Sequence, residues 1–280
     1  GIMGVGSGIV YDSNPAEEYE ECHWKARFLQ NLPVDFTLFE TMLYDQGQCA
    51  LLETHIARLQ RSAQDLGFHF DETKTRQDLQ ACFDRLHKQN ALEGKATTSQ
   101  PCRIKVILHD DATLNIQAAA LDALAPDRQT VVLATQSFPN HDVLRRYKTS
   151  HRQAYDAQMQ HALAQGAFDS LCFNENGYLL EGARSSIFVF HQNQWLTPGL
   201  DLDILHSVMR ETILQNPEHW LRPFTPANTI PVHEPLDVKE RLISMEQLAN
   251  AQKILAVNAL RGIIPVSLLK LNDFKDNLRK

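Results

Sequence analysis

No run of apolar residues in this chain approaches the roughly 20 that a helix needs to cross a bilayer. The start also lacks a basic stretch followed by an apolar core, so no secretory signal and no membrane contact are expected. Basic charge is in deficit: 27 Lys and Arg stand against 34 Asp and Glu, a formal charge of −7. Nucleic-acid binding needs a basic face and is not expected. Cysteine is scarce: Cys22, Cys49, Cys82, Cys102 and Cys172 are odd in number and include no CxxC spacing. That argues against a disulfide framework or a zinc site and favours reduced thiols in a cytoplasmic protein. Twelve histidines are present, yet neither HExxH nor HxH occurs, so no metal is expected.

What remains is ordinary globular composition, 43% hydrophobic and 22% charged over 280 residues, enough for one large domain or two modest ones. The first 30 residues read differently from the rest. A glycine-rich stretch (4–13) leads to Asn14-Pro15, suited to N-cap and first helical position, and then to helical spacing at Tyr19, Cys22, Ala26 and Leu29. Residues 31–35 read as a linker. Gly4, Gly6 and Gly8 resemble a phosphate loop only superficially, because no strand precedes them.

From Phe36 a new unit begins. Apolar runs at 36–44 and 49–52 around Asp45-Gln46-Gly47 suggest a hairpin, with Thr54 capping a helix ended by Gly67. A second helix is expected at about 74–89, and strands at 102–108, 113–119 and 130–134. The stretch 121–129 is a plausible link between a smaller domain (36–120) and a larger one (127–280). The larger part should hold a helix at 150–165, a strand at 170–173, a turn at 174–177 and a long strand at 178–190. Strand WLTP (195–198), a helix from 207 to 215, a capping box at Ser244–Gln247 and a strand at 253–260 follow. Mixed strands and helices without a strict βαβ rhythm indicate an α+β (mixed α/β) two-domain protein.

Two residues stand out on physical grounds. Glu181 lies in a strand of apolar and small residues, where a buried carboxylate needs a partner. Ser207 opens a helix whose free N–H groups can face an anion. Arg58 on an amphipathic helix and Lys148 ahead of one each have a bland surface reading if taken alone.

Taken together, FETML, HIARLQRSA, KTSHRQAYD, FNENGYLLEGARSSIF, WLTPGLDLDILHSVMR and NALRGIIPV resemble, in order, the class IV aminotransferases, pyridoxal-5′-phosphate (PLP) enzymes of fold type IV that include D-amino-acid and branched-chain aminotransferases and 4-amino-4-deoxychorismate lyases. The resemblance runs from about Phe36 to Val266. It implies a D-amino-acid-aminotransferase-like fold and a homodimer. It also implies that Lys148 carries the cofactor and moves protons, that Glu181 faces the ring nitrogen, and that Arg58, Val208, Met209, Asn258 and Ala259 hold the phosphate. Lys105, Arg146, Phe39 and Tyr147 become candidates for the substrate side. EGARSS resembles lyases fused to a chorismate-using synthase more than it resembles branched-chain aminotransferases. Residues 1–35, with Glu18 and Glu21 in an ExxE pair, resemble a residual synthase tail. The chain is therefore expected to be the lyase part of such a fusion, acting in 4-aminobenzoate and folate synthesis. A D-amino-acid or branched-chain aminotransferase, or a PLP-free docking domain of the synthase, are the alternatives.

Overall fold

Residues 38–44 alternate in burial, which is the period of a strand with one face on a core. Leu38, Glu40, Met42 and Tyr44 face inward, while Phe39, Thr41 and Leu43 lie on the other side. The computed structural model of the protein describes residues 14–15, 36–92, 100–231 and 233–269. The helix expected at 19–29 and the Glu18–Glu21 pair lie outside these residues. The described residues from Thr37 onward form one compact unit.

Within it, β1 (Leu38–Tyr44) is followed by α1 (Leu52–Leu66), α2 (Glu72–Leu92), β2 (Cys102–Leu108) and β3 (Leu114–Ala120). The three strands form an antiparallel sheet in the order β1-β2-β3. α1 buries Ile56, Leu59 and Ala63, spaced for one helical face, and stops at Gly67, whose φ of 75° is left-handed. Full burial of Ile56 and Leu59 contributes roughly 1.5–3 kcal/mol each. Tyr44 stacks on Phe83 of α2 with ring centroids 4.8 Å apart.

The expected hairpin is reduced to a turn. Asp45 and Gln48 close it, and residues 49–51 lead directly into α1 instead of a second strand. The partner of β1 is β2, far away in sequence. Thr54 lies inside the first turn of α1, and Leu51 occupies the N-cap without a side-chain bond.

The chain leaves the first sheet at Ala120 and turns at Pro126–Arg128 before entering the second. Its strands are β4 (Thr130–Leu133), β5 (Asp169–Phe173), β6 (Leu179–Gly182), β7 (Ser186–His191), β8 (Gln194–Thr197), β9 (Val238–Glu240), β10 (Lys253–Asn258) and β11 (Gly262–Leu268). Their spatial order is β6-β5-β4-β11-β10-β7-β8-β9. Phe188 and Phe190 pack into one cluster while Ile187 and Val189 pack into another. Burial on both faces explains the continuous apolar run. α3 (Gln153–Ala164) and α4 (Val208–Gln215) complete the elements that matter for the site. Ser244 and Gln247 form the expected capping box.

The long strand expected at 178–190 is broken. β6 pairs with β5 and β7 pairs with β10, and the segment between Gly182 and Ser185 turns from one to the other. The turn is closed by the Gly182 N–H donating to the Ser185 carbonyl at 2.7 Å. Buried Asp169 pins it by accepting from Ser185 Oγ at 2.5 Å and from the Arg184 N–H at 3.3 Å. A Cβ at Gly182 would overlap that carboxylate and Ser185 Oγ, so any larger residue must displace the groups that pin the turn.

Candidate active site

A cavity of about 600 Å³ is lined by both sheets and by the segment carrying Lys148. Among the described residues, seven Lys and Arg and three carboxylates line it, so it is locally basic in a chain of net charge −7. Such a cavity selects anions.

Lys148 is placed by backbone pairing. Phe39 N–H donates to the Lys148 carbonyl at 2.9 Å, Thr149 bridges to Leu38, and Ser150 N–H donates to the Thr37 carbonyl at 2.8 Å. The lysine is thereby held against the outer face of β1. Its Nζ lies 4.7 Å from the Phe39 ring centroid. Burial, reinforced by the charges of Arg58 and Arg152, pulls its pKa down to about 7, against the opposing pull of Glu40 and Glu181. A lysine of this kind is half unprotonated at neutral pH.

Glu181 is the penultimate residue of β6, just before the turn, and is buried. Tyr155 Oη donates to its Oε1 at 2.6 Å, and the Leu205 N–H approaches both oxygens at 3.3–3.4 Å. Burial pushes its pKa up to about 7, opposed by Tyr155, Leu205, Arg145 and Lys148.

Arg58 reaches the cavity from α1. Its Nε and Nη2 bind both oxygens of Glu40 at 2.7 and 2.5 Å, and Nη1 donates to the His206 carbonyl at 3.1 Å. His55, one turn earlier, binds Glu40 through Nδ1 at 2.7 Å. Burial alone would raise the Glu40 pKa, but Arg58 and His55 hold it at about 2. Ser207 caps α4 by accepting from the Arg210 N–H, so the amides of Val208 and Met209 fall in the open first turn. Val208 lines the cavity, whereas the Met209 side chain packs into the core with Phe188 and Trp195. Asn258 Oδ1 accepts from the Leu260 and Arg261 N–H groups, which fixes the turn carrying Ala259 on the cavity wall.

On the remaining side, Lys105 of β2 places Nζ 5.1 Å from the Phe39 ring centroid, and the Arg152 guanidinium lies 6.0 Å from it. Tyr147 also lines the cavity and donates to Asp65 at 3.2 Å. Arg146 does not join the cavity lining; its guanidinium is bound by Asp203 at 2.5 Å. The charge that reaches the cavity from this segment is that of Arg145, with Arg152 beyond Lys148.

Glu40, His55 and Tyr155 were not singled out from the sequence. For Glu40 a signal existed, a carboxylate in the buried register of an alternating strand, with His55 and Arg58 spaced for one helix face. For Tyr155, an aromatic on a helix carries no such signal.

Residues 37–269 match the model of the family described as amino-transferase class IV. A protein of Schizosaccharomyces pombe named "Putative aminodeoxychorismate lyase" is 26% identical over 81% of this chain and 87% of its own length. A Thermotoga maritima protein named "Probable branched-chain-amino-acid aminotransferase" is 26% identical over 90% of this chain and 88% of its own. The crystal structure of a "Putative amino-acid aminotransferase" from Mesorhizobium loti aligns with a TM-score of 0.67 at 26% identity, covering 84% of this chain and all of that one.

Proposed function

This chain belongs to the class IV aminotransferase family, and from that premise we propose that it is a 4-amino-4-deoxychorismate lyase, releasing pyruvate and 4-aminobenzoate. The observation that carries this reading is the aromatic face of Phe39 ringed by Lys105, Lys148 and Arg152, which suits an unsaturated ring with one carboxylate on the ring and a second on its enolpyruvyl arm. The similarity to the yeast protein named for that lyase supports it.

Enzymes of the family use PLP, and the donors on the cavity wall fit it. Lys148 offers an amine near neutral, Glu181 offers a carboxylate with one lightly used oxygen, and Arg58 with the first turn of α4 offers cation and amides for a phosphate. When bound, the cofactor supplies an electron sink for the pair left by a departing proton.

The chain's own residues then divide the work. Lys148 Nζ takes the proton from C4 of the substrate ring, which its lowered pKa permits at neutral pH. Glu181 holds the ring-nitrogen end as a counter-charge. Lys105 and Arg152 bind substrate carboxylates, and Phe39 supports the ring. Loss of the C4 proton and of the enolpyruvyl group from C3 leaves an aromatic ring, which drives the elimination. A homodimer, a cytoplasmic setting, and a smaller part at 36–120 beside a larger one at 127–280 go with this reading.

The test supplies aminodeoxychorismate to PLP-loaded protein with no keto acid. Equal release of 4-aminobenzoate and pyruvate is expected. No release, with the cofactor still bound at Lys148, would overturn the lyase reading. It would favour the transamination suggested by the Thermotoga relative.

A further inference from the structure

Among the described residues, Tyr155 is the one side chain that donates a hydrogen bond to Glu181, at 2.6 Å to Oε1. Arg145, the nearby cation, is occupied elsewhere, since its three donor nitrogens go to the carbonyls of Asp203, Pro139 and Leu202. The Leu205 N–H is shared between the two carboxylate oxygens at long range. Oε2 therefore keeps most of its acceptor capacity, and Glu181 lines the cavity.

The phenol itself is fixed. Its ring packs on Phe138 with centroids 4.7 Å apart, and the Arg152 guanidinium lies 5.9 Å from its centroid. Arg152 is anchored in turn by the Ala183 carbonyl at 2.7 Å and by Asp156 at 2.8 Å. Cys172 stands opposite Glu181 across the β5–β6 pair as a buried thiol, and Lys148 is the remaining charge facing it.

We propose that Tyr155 is a positioning residue acting through Glu181. Its hydroxyl occupies Oε1, leaves Oε2 as the oxygen offered to the cofactor's ring nitrogen, and favours the ionised form of the buried carboxyl. The inference rests on the proposed function, since it assumes that the cofactor sits beside Glu181. Without the phenol, burial favours the neutral acid. The ring nitrogen then loses its counter-charge and the electron sink weakens, while the phosphate end at Arg58 is untouched.

The experiment compares wild-type protein, Tyr155→Phe and protein carrying 3-fluorotyrosine at 155, whose phenol is a stronger donor of nearly the same shape. In the apoprotein, isotope-edited infrared spectra of glutamate, referenced to Glu181→Gln, follow ionisation of Glu181. Its midpoint should move up by about one pH unit or more in Tyr155→Phe and down with fluorotyrosine. In the PLP-loaded protein, kcat of Tyr155→Phe should fall roughly ten-fold or more with KM nearly unchanged. An unchanged midpoint and kcat would overturn the proposal. If Tyr155→Phe fails to fold, the fluorotyrosine protein decides alone, and an unmoved midpoint there is equally fatal. Failure of wild-type protein to take up PLP at Lys148 is read in the same samples, and overturns the underlying assignment instead.

Discussion

Arg58 and Glu40 form a two-point ion pair between α1 and β1, with Nε–Oε1 at 2.7 Å and Nη2–Oε2 at 2.5 Å. Both side chains are almost fully buried, so the pair is fixed by geometry rather than tuned by solvent. Glu40 neutralises Arg58 and turns it, leaving Nη1 directed to the chain just before α4.

Glu40→Gln should therefore be strongly destabilising, by about 3 kcal/mol, because the Arg58 charge stays buried without its counter-charge. Urea unfolding of the apoprotein measures this. The Glu40 pKa of about 2 lies below its ordinary value of 4.5. Its contribution to stability is thus present above pH 4.5 and is lost as pH falls toward 2. The variant should lose that acid dependence.

Lys148 should react with PLP in the apoprotein at a rate that climbs with pH and levels off above about 7, not above 10.5. Stopped-flow absorbance across pH 5–10, a range chosen to bracket both values, measures it. Arg58 and Arg152 push the lysine toward its neutral form, so Arg152→Met should move the midpoint upward. The slope of stability against pH has the same sign as for Glu40, because both pKa values are lowered on folding, but it falls in a higher window. Between about pH 7 and 10.5 the unfolded state binds more protons at this residue, so the apoprotein gains stability as pH rises through that window.

Gly182→Ala should destabilise the protein by roughly 1–3 kcal/mol, because its Cβ would overlap the Asp169 carboxylate and Ser185 Oγ. Glu181 is the next residue, so PLP affinity should fall with it. Gly177→Ala meets open space but stands at φ +77°, so it should lower stability through strain alone and leave PLP affinity as it was. Thermal melts and PLP titration separate the two.

Lys105→Met should raise KM for a dicarboxylate substrate about ten-fold while leaving kcat nearly unchanged, since the residue is assigned to carboxylate binding over the Phe39 face and not to proton transfer. Steady-state kinetics with aminodeoxychorismate check it.

The parts legible in the sequence were those written in local pattern. The strand run at 36–44, the helix that follows it, its stop at Gly67 and the Ser244–Gln247 box all follow from local residue types and spacing. Lys148 and Arg58 came from the family resemblance, Glu181 was also marked by its apolar strand, and the fold brings all three to one cavity. Long-range pairing was not legible. A run such as 49–52 satisfies strand chemistry but loses its partner edge to β2, which lies fifty residues on. The break at Gly182 looked like continuous strand because both halves are buried, and its cause is Asp169 on another strand. Arg145 and Arg146 are adjacent and chemically alike. Only the position of Asp203 and of three carbonyls sorts which one faces the cavity.

The most direct test of the account is to load the protein with PLP, reduce it with borohydride and map the modified peptide by mass spectrometry. The account expects the reduced pyridoxyl phosphate on Lys148 alone, with none in Lys148→Ala. A label on Lys105 or another lysine, or undiminished labelling of Lys148→Ala, would contradict it.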